Sequence, residues 1–345
     1  MKINSLTDSE LQDLLATNEF DNKLRRQALA LRRNFYGNKI FIRGLIEFTN
    51  YCHNNCYYCG LRCENKNLVR YRLNTKEILA CADKGYALGF RTFVLQGGED
   101  DYFSDEVLVP LIRQLHQQHP DAAITLSIGE RSKESYKALF KAGAERYLLR
   151  HETANAEHYA QLHPVRQSFA IRQHCLQDLK EIGYVVGSGF MVGSPGQTAA
   201  TLIEDLRFLQ KLNPDMIGIG PFIHHADTPF ADMPNGDLQL TLRLIAILRI
   251  MFPTALIPAT TALATLSPEG RNLGLAYGAN VLMPNLTPVM LRKSYSLYDN
   301  KASTGLESAE YLEKLKNEMT EQGWKIVVDR GNPVSGVEII SNYQL

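Results

Sequence analysis

The sequence predicts an α/β fold, a (β/α)8 TIM-like barrel. Over its 345 residues, short apolar runs alternate with helical patterns eight times, and a Gly or Pro often precedes the apolar run, as at Gly89, Pro120 and Gly143. Such alternation favours parallel strands that are covered by helices. An open doubly wound sheet is the alternative architecture, and eight repeats favour the closed barrel.

The expected elements of the barrel follow from this alternation. The apolar, strand-like runs lie at 40–48, 91–96, 122–128, 145–150, 185–192, 215–220, 255–259 and 280–283. The helical patterns between them lie at 75–89, 103–118, 132–142, 166–182, 198–211, 239–251 and 268–277. Because active sites of such barrels form at the carboxyl ends of the strands, polar residues that follow the strands are expected to meet at one mouth.

Two further regions flank the barrel. Residues 7–35 are expected to form two helices, with Thr7 as the N-cap of the first and Glu10 completing its capping box. The tail is expected to hold a helix at 306–322 and a β segment at 325–328. We therefore divide the chain into an N-terminal helical extension at 1–38, the barrel domain at 39–302 and a C-terminal extension packed on the barrel at 303–345.

Composition and charge exclude some functions. Hydrophobic residues make up 45% of the chain, and its 37 basic residues are balanced by 37 acidic ones. A nucleic-acid partner would require a basic surplus, so none is expected. No apolar run reaches the ~18 residues that cross a bilayer, and the first residues contain no apolar signal segment. We therefore expect a cytoplasmic protein with no membrane partner.

The cysteines carry the strongest signal. Four of the six fall within twelve residues, at Cys52, Cys56, Cys59 and Cys63. The first three have the spacing C-x3-C-x2-C, in the loop after the first predicted strand. Three thiolates can hold three irons of a 4Fe–4S cluster and leave the fourth iron open to a chelating molecule. A structural zinc site completed by Cys63 or His53 is the alternative for this cluster of ligands.

At residues 48–60 the sequence resembles the radical S-adenosylmethionine superfamily, for which this cysteine spacing is highly specific. The resemblance implies a barrel of the radical S-adenosylmethionine type with one 4Fe–4S cluster on Cys52, Cys56 and Cys59. It also implies that the amine and carboxylate of S-adenosylmethionine chelate the open iron, and that reduction yields a 5′-deoxyadenosyl radical. Tyr58 matches an aromatic position beside the adenine.

Polar residues at the ends of other predicted strands are the cofactor-binding residues that the resemblance implies. In chain order they are Gln96, Gly97, Gly98, Glu99, Thr125, Ser127, Glu152 and Arg172. Residues 96–99 are expected at the methionine amine and Glu152 at the ribose hydroxyls. The planar fork of Arg172 suits the methionine carboxylate.

Longer motifs within residues 35–300, among them 94–100, 149–155 and 191–198, are similar to the HydE family of FeFe-hydrogenase maturases. That resemblance implies a function in H-cluster maturation. The substrate would be a small, cysteine-bound iron carbonyl cyanide precursor, whose sulfur the adenosyl radical attacks. A reductant protein, ferredoxin or flavodoxin, and other hydrogenase maturases are the implied protein partners.

Residues beyond the nucleotide end are the expected substrate-binding groups. They are Arg150, Met191, Thr260, Thr261, Met283 and Tyr295. No catalytic acid or base is expected, because the iron of the substrate would activate its own sulfur. Some members of the family carry a second cysteine trio near the C-terminus, but no cysteine follows Cys175 here. We therefore expect a single cluster and read Cys63 as incidental.

Two other functions stay open. A methylornithine synthase-like radical mutase would rearrange lysine and would need an acidic clamp for the lysine ammonium, for which only Glu99 and Glu152 are candidates. A non-catalytic iron–sulfur or zinc scaffold would bind metal without cleaving S-adenosylmethionine. Cleavage of S-adenosylmethionine by the dithionite-reduced protein discriminates between an enzyme and a scaffold.

Overall fold

Parallel strands close into a barrel in the computed structural model, which describes residues 6–302 and 305–334. The strands are β1 (Lys39–Ile42), β2 (Gly44–Thr49), β3 (Thr92–Gly97), β4 (Ala123–Ser127), β5 (Arg146–Leu148), β6 (Val185–Ser188), β7 (Met191–Val192), β8 (Met216–Ile217), β9 (Gly220–Pro221), β10 (Val281–Leu282) and β11 (Lys325–Val327).

Helices cover the strands on the outside. They are α1 (Asp8–Ala16), α2 (Asp21–Tyr36), α3 (Thr75–Ala87), α4 (Asp105–Gln118), α5 (Lys133–Ala142), α6 (Ala156–Leu162), α7 (Phe169–Ile182), α8 (Ala199–Leu212), α9 (Leu238–Met251), α10 (Thr261–Leu266), α11 (Gly270–Ala276), α12 (Val289–Arg292) and α13 (Leu312–Glu321). Two short 3-10 turns, Gly305–Glu307 and Ala309–Tyr311, precede α13. None of the helices in this part of the chain is long and apolar enough to cross a membrane.

The ladders show how the barrel closes. One parallel sheet runs in the order β2-β3-β4-β5-β6-β8. Isolated parallel bridges continue it, Met216 with Leu256 and Pro258 with Val281. From there β10 pairs with β1, and Asn285 pairs with Leu45 of β2. The (β/α)8 architecture predicted from the sequence is therefore confirmed.

The predicted strand at 255–259 forms single bridges instead of a ladder. Pro258 lies inside it and has no N–H to donate, which prevents a regular ladder there. The helix predicted at 268–277 is present as α11, and α10 is an additional helix before it. The region of 306–322 begins with the 3-10 turns. Helix α6 was not predicted at all.

The helix starts follow their capping residues. In α1 the Thr7 side chain accepts a hydrogen bond from the backbone of Glu10, while the Glu10 carboxylate accepts one from the backbone of Thr7. This capping box was predicted and is confirmed. Asn74 and Glu77 form the same arrangement at α3, which starts that helix directly after the loop that carries the cysteines.

Helix α9 is buried all round, since every residue from 241 to 251 is buried. It contains Arg249, whose guanidinium donates to the carbonyls of Gly278 and Pro253, each at 2.9 Å. A buried arginine is tolerated there because backbone acceptors surround it. At the amino ends of the strands, β11 pairs with β1 on the side opposite β10.

Candidate functional site

The cysteines lie in the long loop between β2 and α3, and Asn50 closes the base of that loop. Its side-chain oxygen accepts a hydrogen bond from the backbone N–H of Tyr71 at 2.7 Å. Its amide nitrogen donates to the carbonyl of Val69 at 2.8 Å. Since Asn50 is fully buried, these bonds do not compete with water. The two ends of the loop are thereby joined, and the cysteines between them form one closed unit.

Arg70 organises the inside of the same loop. Its guanidinium donates hydrogen bonds to four backbone carbonyl oxygens, those of Asn50, Leu61, Arg62 and Asn65. One rigid fork of donors satisfies carbonyls from both sides of the cysteines. This explains how a loop without regular secondary structure is held in one shape.

The thiols of Cys52, Cys56 and Cys59 are free and half-buried. Burial raises the pKa of Cys52 to about 12 and also raises the pKa of Cys56. Burial, followed by the neighbouring Cys56 and Cys52 thiols, raises the pKa of Cys59. The three sulfurs are therefore close enough to influence one another. Thiols in such surroundings stay protonated until a bound metal displaces the proton.

Among the residues that the structure describes, no group of three His, Cys, Asp or Glu side chains is arranged to hold one metal ion. A single zinc ion needs all its ligands within about 2.0–2.3 Å of one point. A cubic cluster distributes its thiolates over different irons and so accepts a wider arrangement.

Tyr58 is fixed by His163. The His163 Nδ1 lies 2.9 Å from the Tyr159 carbonyl, which requires a proton on Nδ1, so Nε2 accepts from the Tyr58 hydroxyl at 3.1 Å. Burial lowers the pKa of His163 to about 3, so this ring stays neutral at physiological pH. The Tyr58 ring is thus held rigidly beside the cysteines, as a stacking position requires.

Gly98 brings the end of β3 against the cysteine loop. A Cβ at this position would lie 2.2 Å from the Tyr51 carbonyl oxygen and 2.7 Å from the Cys52 Cβ. Only glycine allows this approach. The neighbouring Glu99 carbonyl accepts a hydrogen bond from the His53 N–H at 2.9 Å. The glycine pair at 97–98 therefore packs on the loop that holds the cysteines.

Arg172 lies between two carboxylates. Its Nε is 2.8 Å from Glu130 and its Nη2 is 3.6 Å from Glu99. Glu130 was not predicted as a site residue, because it lies two residues after the predicted strand at 122–128 and belongs to no recognisable motif. Arg172 also acts on the pKa of Cys56, lowering it after the larger effects of burial and the Gln167 side chain. The predicted carboxylate-binding arginine thus lies beside the cysteines, already paired within the protein.

Gln96, Thr125 and Ser127 lie on the adjoining strands β3 and β4. Gln96 pairs with Ser127 in the ladder, and its amide donates to the Tyr295 hydroxyl at 3.4 Å. The Thr125 hydroxyl is buried without a hydrogen-bond partner. Of these three residues, Thr125 is the one whose buried hydroxyl makes no hydrogen bond.

Arg150 and Glu152 lie in the segment that directly follows β5. Their charged groups lie 3.1 Å apart, but the Arg150 Nη2 and the Glu152 Oε2 make no aligned hydrogen bond. Glu152 has φ +65°, a left-handed conformation that is strained for a residue with a side chain. Its carboxylate contributes to raising the pKa of Tyr58, after burial and Cys56. Glu152 therefore lies close to Tyr58 and the cysteines, and its role at the nucleoside stays a prediction.

A buried network supports this strained segment. His151 has its Nδ1 2.9 Å from the Ser188 hydroxyl and its Nε2 3.2 Å from the Asp205 carboxylate. Asp205 also accepts a hydrogen bond from the backbone N–H of Ala154 at 2.5 Å. All three side chains are almost fully buried. The network pins the residues on both sides of Glu152, which is how its φ is maintained.

Thr260 and Thr261 differ in the structure. The Thr260 hydroxyl is buried without a partner, whereas the Thr261 hydroxyl donates to Glu307 at 3.4 Å. Thr260 is the N-cap residue of α10 and Thr261 is its first residue. Only Thr260 has its hydroxyl free for a bound molecule.

Tyr295 is buried and lies near the cysteines, since its pKa is raised by burial, by Glu47 and, more weakly, by Cys59. Lys301 reaches into the barrel beside it and forms a buried ion pair with Glu47. Asn285 donates to the second oxygen of Glu47 at 2.8 Å. This ion pair could not be predicted from a local pattern, because its partners are 254 residues apart.

The two predicted methionines lie in separate places. Met191 is buried in a small cluster with Leu162 and Phe222, against which Tyr58 packs. Met283 is partly buried and packs on the cluster that contains Met216. Met191 is thus part of the wall beside Tyr58, while Met283 belongs to a different apolar cluster.

Two arginines that the sequence analysis missed lie inside the strand layer. Arg43 and Arg146 are buried, and each has two guanidinium nitrogens without a hydrogen-bond partner. Burial, and then the neighbouring Arg146, lower the pKa of Arg43 to about 9. The Arg43 Nη1 contacts the Met216 sulfur at 3.2 Å. Arg146 also donates through Nη2 to the Arg330 carbonyl at 2.9 Å and to the Asn332 side chain at 2.7 Å, so the C-terminal segment partly satisfies these buried arginines at the amino ends of the strands.

The site therefore has a consistent chemistry. Three free thiols, the Tyr58 ring and the Glu152 carboxylate lie close together, with unpartnered hydroxyl and guanidinium groups nearby. Soft sulfur ligands suit an iron–sulfur cluster. A carboxylate and a buried hydroxyl without partners suit a polar nucleoside. Together these features define a metal- and nucleotide-dependent barrel enzyme of the radical S-adenosylmethionine class.

Comparison with known proteins agrees. The model of the Radical SAM superfamily matches residues 46–209. The chain is 46% identical over 297 residues to the "[FeFe] hydrogenase maturase subunit HydE" of Thermotoga maritima, covering 86% of this chain and 84% of that protein. It is 30% identical to the "3-methylornithine synthase" of Methanosarcina barkeri, covering 85% and 83% of the two chains. The crystal structure of methylornithine synthase (PylB) superposes with a TM-score of 0.81 at 28% identity, covering 94% and 96%.

The chain belongs to the radical SAM superfamily, within the family of HydE. Membership implies a 4Fe–4S cluster and S-adenosylmethionine as cofactors. The residues fit both groups, because the three thiols are free to ligate iron and the buried Thr125 hydroxyl and Glu152 Oε2 make no hydrogen bond within the protein.

Proposed function

We propose that the chain acts in FeFe-hydrogenase H-cluster maturation, on the sulfur of a small, cysteine-bound iron carbonyl cyanide precursor. The identity to HydE supports the maturation role. When bound on Cys52, Cys56 and Cys59, the cluster together with S-adenosylmethionine supplies a 5′-deoxyadenosyl radical. The observation that carries the substrate class is a pair of buried donors after the strands, Arg150 and Thr260, whose guanidinium and hydroxyl groups make no hydrogen bond within the protein.

These donors favour an anionic guest with several acceptors. A buried guanidinium N–H without an acceptor destabilises the folded protein, by roughly 1–3 kcal/mol and more for a charged group. The cyanide nitrogens and the carboxylate of a cysteine-bound iron complex are acceptors of the required kind. Arg150 also lies near Tyr298, whose pKa it lowers slightly against the dominant effect of burial. The Tyr298 side chain also forms a hydrogen bond with Thr265 of α10. Tyr298 therefore lies between Arg150, which follows β5, and α10, which follows Thr260.

The protein's own groups hold the guest and supply no acid or base. Arg150 binds a carboxylate or a cyanide nitrogen, and the Thr260 hydroxyl donates to a second acceptor. Tyr295 and Met191 form walls of the cavity. The purpose of this binding is to place the sulfur about 3–3.5 Å from the attacking carbon, where proximity alone removes much of the barrier.

The partners follow from this chemistry. The enzyme needs one electron from a reductant protein, ferredoxin or flavodoxin, and it hands its product to other hydrogenase maturases. We propose a single cluster, because no cysteine follows Cys175 in the sequence. A cytoplasmic location is our expectation for such an exchange.

In vitro hydrogenase maturation with the other maturases supplied tests the proposal. Wild-type protein should support maturation in place of a HydE. Arg150→Ala should retain cluster and S-adenosylmethionine binding, slow maturation and still release 5′-deoxyadenosine without product. Lys293→Ala, which removes an exposed cation from the segment that carries Tyr295, is the matched control and should behave as wild type.

A methylornithine synthase-like mutase is the second candidate, favoured by the likeness to that enzyme in sequence and structure. A lysine substrate would need a carboxylate for its ammonium group. The buried Glu47 is such a carboxylate, but Lys301 of this chain already pairs with it. Protein that fails in maturation and consumes lysine would replace our proposal with the mutase. Membership of an enzyme superfamily argues against a non-catalytic scaffold.

A further inference from the structure

The segment that joins α6 to α7, residues 162–167, lies directly on the cysteine loop. The Leu162 carbonyl accepts a hydrogen bond from the Tyr57 N–H at 3.0 Å. At the other end of the segment, Arg166 donates to the His53 carbonyl at 2.6 Å. With the bond from Tyr58 to His163, the segment is joined to the loop at three successive points. It is therefore positioned by the loop that carries the cluster ligands.

Gln167 is the residue of this segment that touches a ligand atom. Its amide Nε2 is 3.3 Å from the Cys56 sulfur. In the metal-free protein the thiol can instead donate to the amide oxygen, at 3.5 Å. A thiolate on iron has no proton, so with the cluster bound only the amide N–H can donate. A turn from the Pro164 carbonyl to the Gln167 N–H, 2.9 Å long, holds the residue in place.

The three ligands differ in what donates to them. The Cys52 sulfur accepts from the backbone N–H groups of Asn54 and Glu99, which no substitution removes. The Cys59 sulfur likewise has a backbone donor, that of Leu61. Cys56 alone of these ligands has a side-chain donor in the described structure, Gln167. The Tyr58 hydroxyl also lies near this sulfur, but its one proton is donated to His163. Because Tyr58 is expected beside the adenine, Gln167 is the side chain through which a hydrogen bond can adjust a property of the cluster.

We propose that Gln167 is a positioning residue that raises the reduction potential of the cluster through its N–H···S hydrogen bond to Cys56. Reduction by one electron from the reductant protein adds negative charge to the cluster sulfurs. A donor to one sulfur stabilises the reduced state more than the oxidised state, so the potential rises. No bond to Gln167 forms or breaks. This inference rests on the cysteine ligation within the proposed function.

The test is a redox titration of the anaerobically reconstituted enzyme, followed by EPR. Gln167→Met keeps the length of the side chain and removes its donor. At a fixed potential, the ratio of reduced to oxidised cluster should fall about three- to tenfold, which is roughly 30–60 mV for one electron. Gln167→Glu, which puts an acceptor next to the sulfur, should lower the ratio at least as far. Gln177→Met, on the exposed side of α7, should leave it at the wild-type value.

A spectroscopic signature separates tuning from a general structural effect. Exchange into D2O should shift the iron–sulfur stretching bands of the wild type in resonance Raman spectra, and part of that shift should be missing in Gln167→Met. Equal potentials in wild type and Gln167→Met would overturn the proposal. Loss of iron from a folded Gln167→Met protein would also overturn it, by assigning Gln167 to cluster assembly. The titration uses no maturation substrate, so its result is independent of the substrate class proposed above.

Discussion

The two halves of the barrel are built differently. From β2 to β6 the strands form an unbroken parallel ladder, and the cysteine loop, Gly98, Thr125 and Glu152 lie at its carboxyl ends. From β8 to β10 the strands have two residues each, and the seventh position has only isolated bridges. Thr260 and Tyr295 belong to this second half or to the segment after it.

The difference separates two tasks. A continuous ladder fixes side chains to within fractions of an ångström, which a cluster with a chelated cofactor requires. Where the strands are interrupted, backbone groups that regular pairing would use stay available, and such irregular segments often carry binding residues. We therefore expect substitutions in the first half to affect cofactor binding, except at Arg150, which we propose holds the guest, and substitutions in the second half to affect turnover. The following predictions test that division, beginning with the largest effect.

The largest effect is expected at the three cysteines. Replacing Cys52, Cys56 or Cys59 with Ala removes a thiolate ligand and should abolish both cluster assembly and the change of the EPR spectrum on addition of S-adenosylmethionine. Cys63→Ala should keep close to the four irons per chain expected of one 4Fe–4S cluster. Loss of the cluster in Cys63→Ala would contradict our ligand assignment, and about eight irons would contradict a single cluster.

The next effect is expected in cofactor affinity. Arg172→Ala removes a charge-assisted donor worth roughly 1.5–3 kcal/mol, so S-adenosylmethionine should bind about ten- to a hundredfold more weakly in calorimetric titrations. Glu152→Ala should weaken binding similarly, with unchanged iron content. Glu130→Gln is the matched control, because it disturbs the Arg172 ion pair and leaves the arginine. Wild-type affinity in both Ala variants would mean that the cofactor lies elsewhere.

A smaller effect is expected in the second half, from two adjacent threonines. Thr260→Val removes a hydroxyl without a protein partner and should slow turnover about two- to tenfold, as for the loss of one hydrogen bond of ~0.5–1.5 kcal/mol. Iron content and S-adenosylmethionine affinity should stay at wild-type values. Thr261→Val removes a hydroxyl that Glu307 already uses, so it should affect turnover less. The reverse order would place the guest against Thr261.

The last prediction concerns the pH dependence of stability and not activity. Burial lowers the pKa of His163 from 6.5 to about 3 in the folded protein. As the pH falls below 6.5 the unfolded chain binds a proton that the folded chain refuses, so the free energy of unfolding decreases, by about 2 kcal/mol between pH 6.5 and pH 5. His163→Gln can keep both hydrogen bonds without titrating. Urea unfolding at the two pH values should show a smaller decrease in that variant, and equal decreases would refute the assignment.

The sequence predicted the parts of the site that rest on local patterns. The cysteine spacing, the glycines at 97–98 and the polar residues that end the strands were recognisable because each lies within a few residues of a predicted strand. The first-half strands were predicted for the same reason. In the second half, the apolar run at 255–259 predicted a strand, but its periodicity did not show that only isolated bridges form around Pro258.

What the sequence did not predict depends on contacts between distant residues. Gln167 is 111 positions from Cys56, and Lys301 is 254 from Glu47, so neither pair leaves a local pattern. Arg146 looked like an ordinary polar residue at the start of a strand until its burial beside Arg43 was known. Such residues are identified only when the fold brings their partners together.

The pairing of the first strand limits when the barrel can close during synthesis. In the described structure β1 pairs with β10 and β11, which are synthesised some 240 and 285 residues later. At translation rates of ~5–20 residues per second, β1 waits on the order of ten seconds to a minute for its neighbours. During that interval the nascent chain already contains all three cysteines while the barrel is still open. The cysteine loop is therefore synthesised before the strands that complete the wall around it.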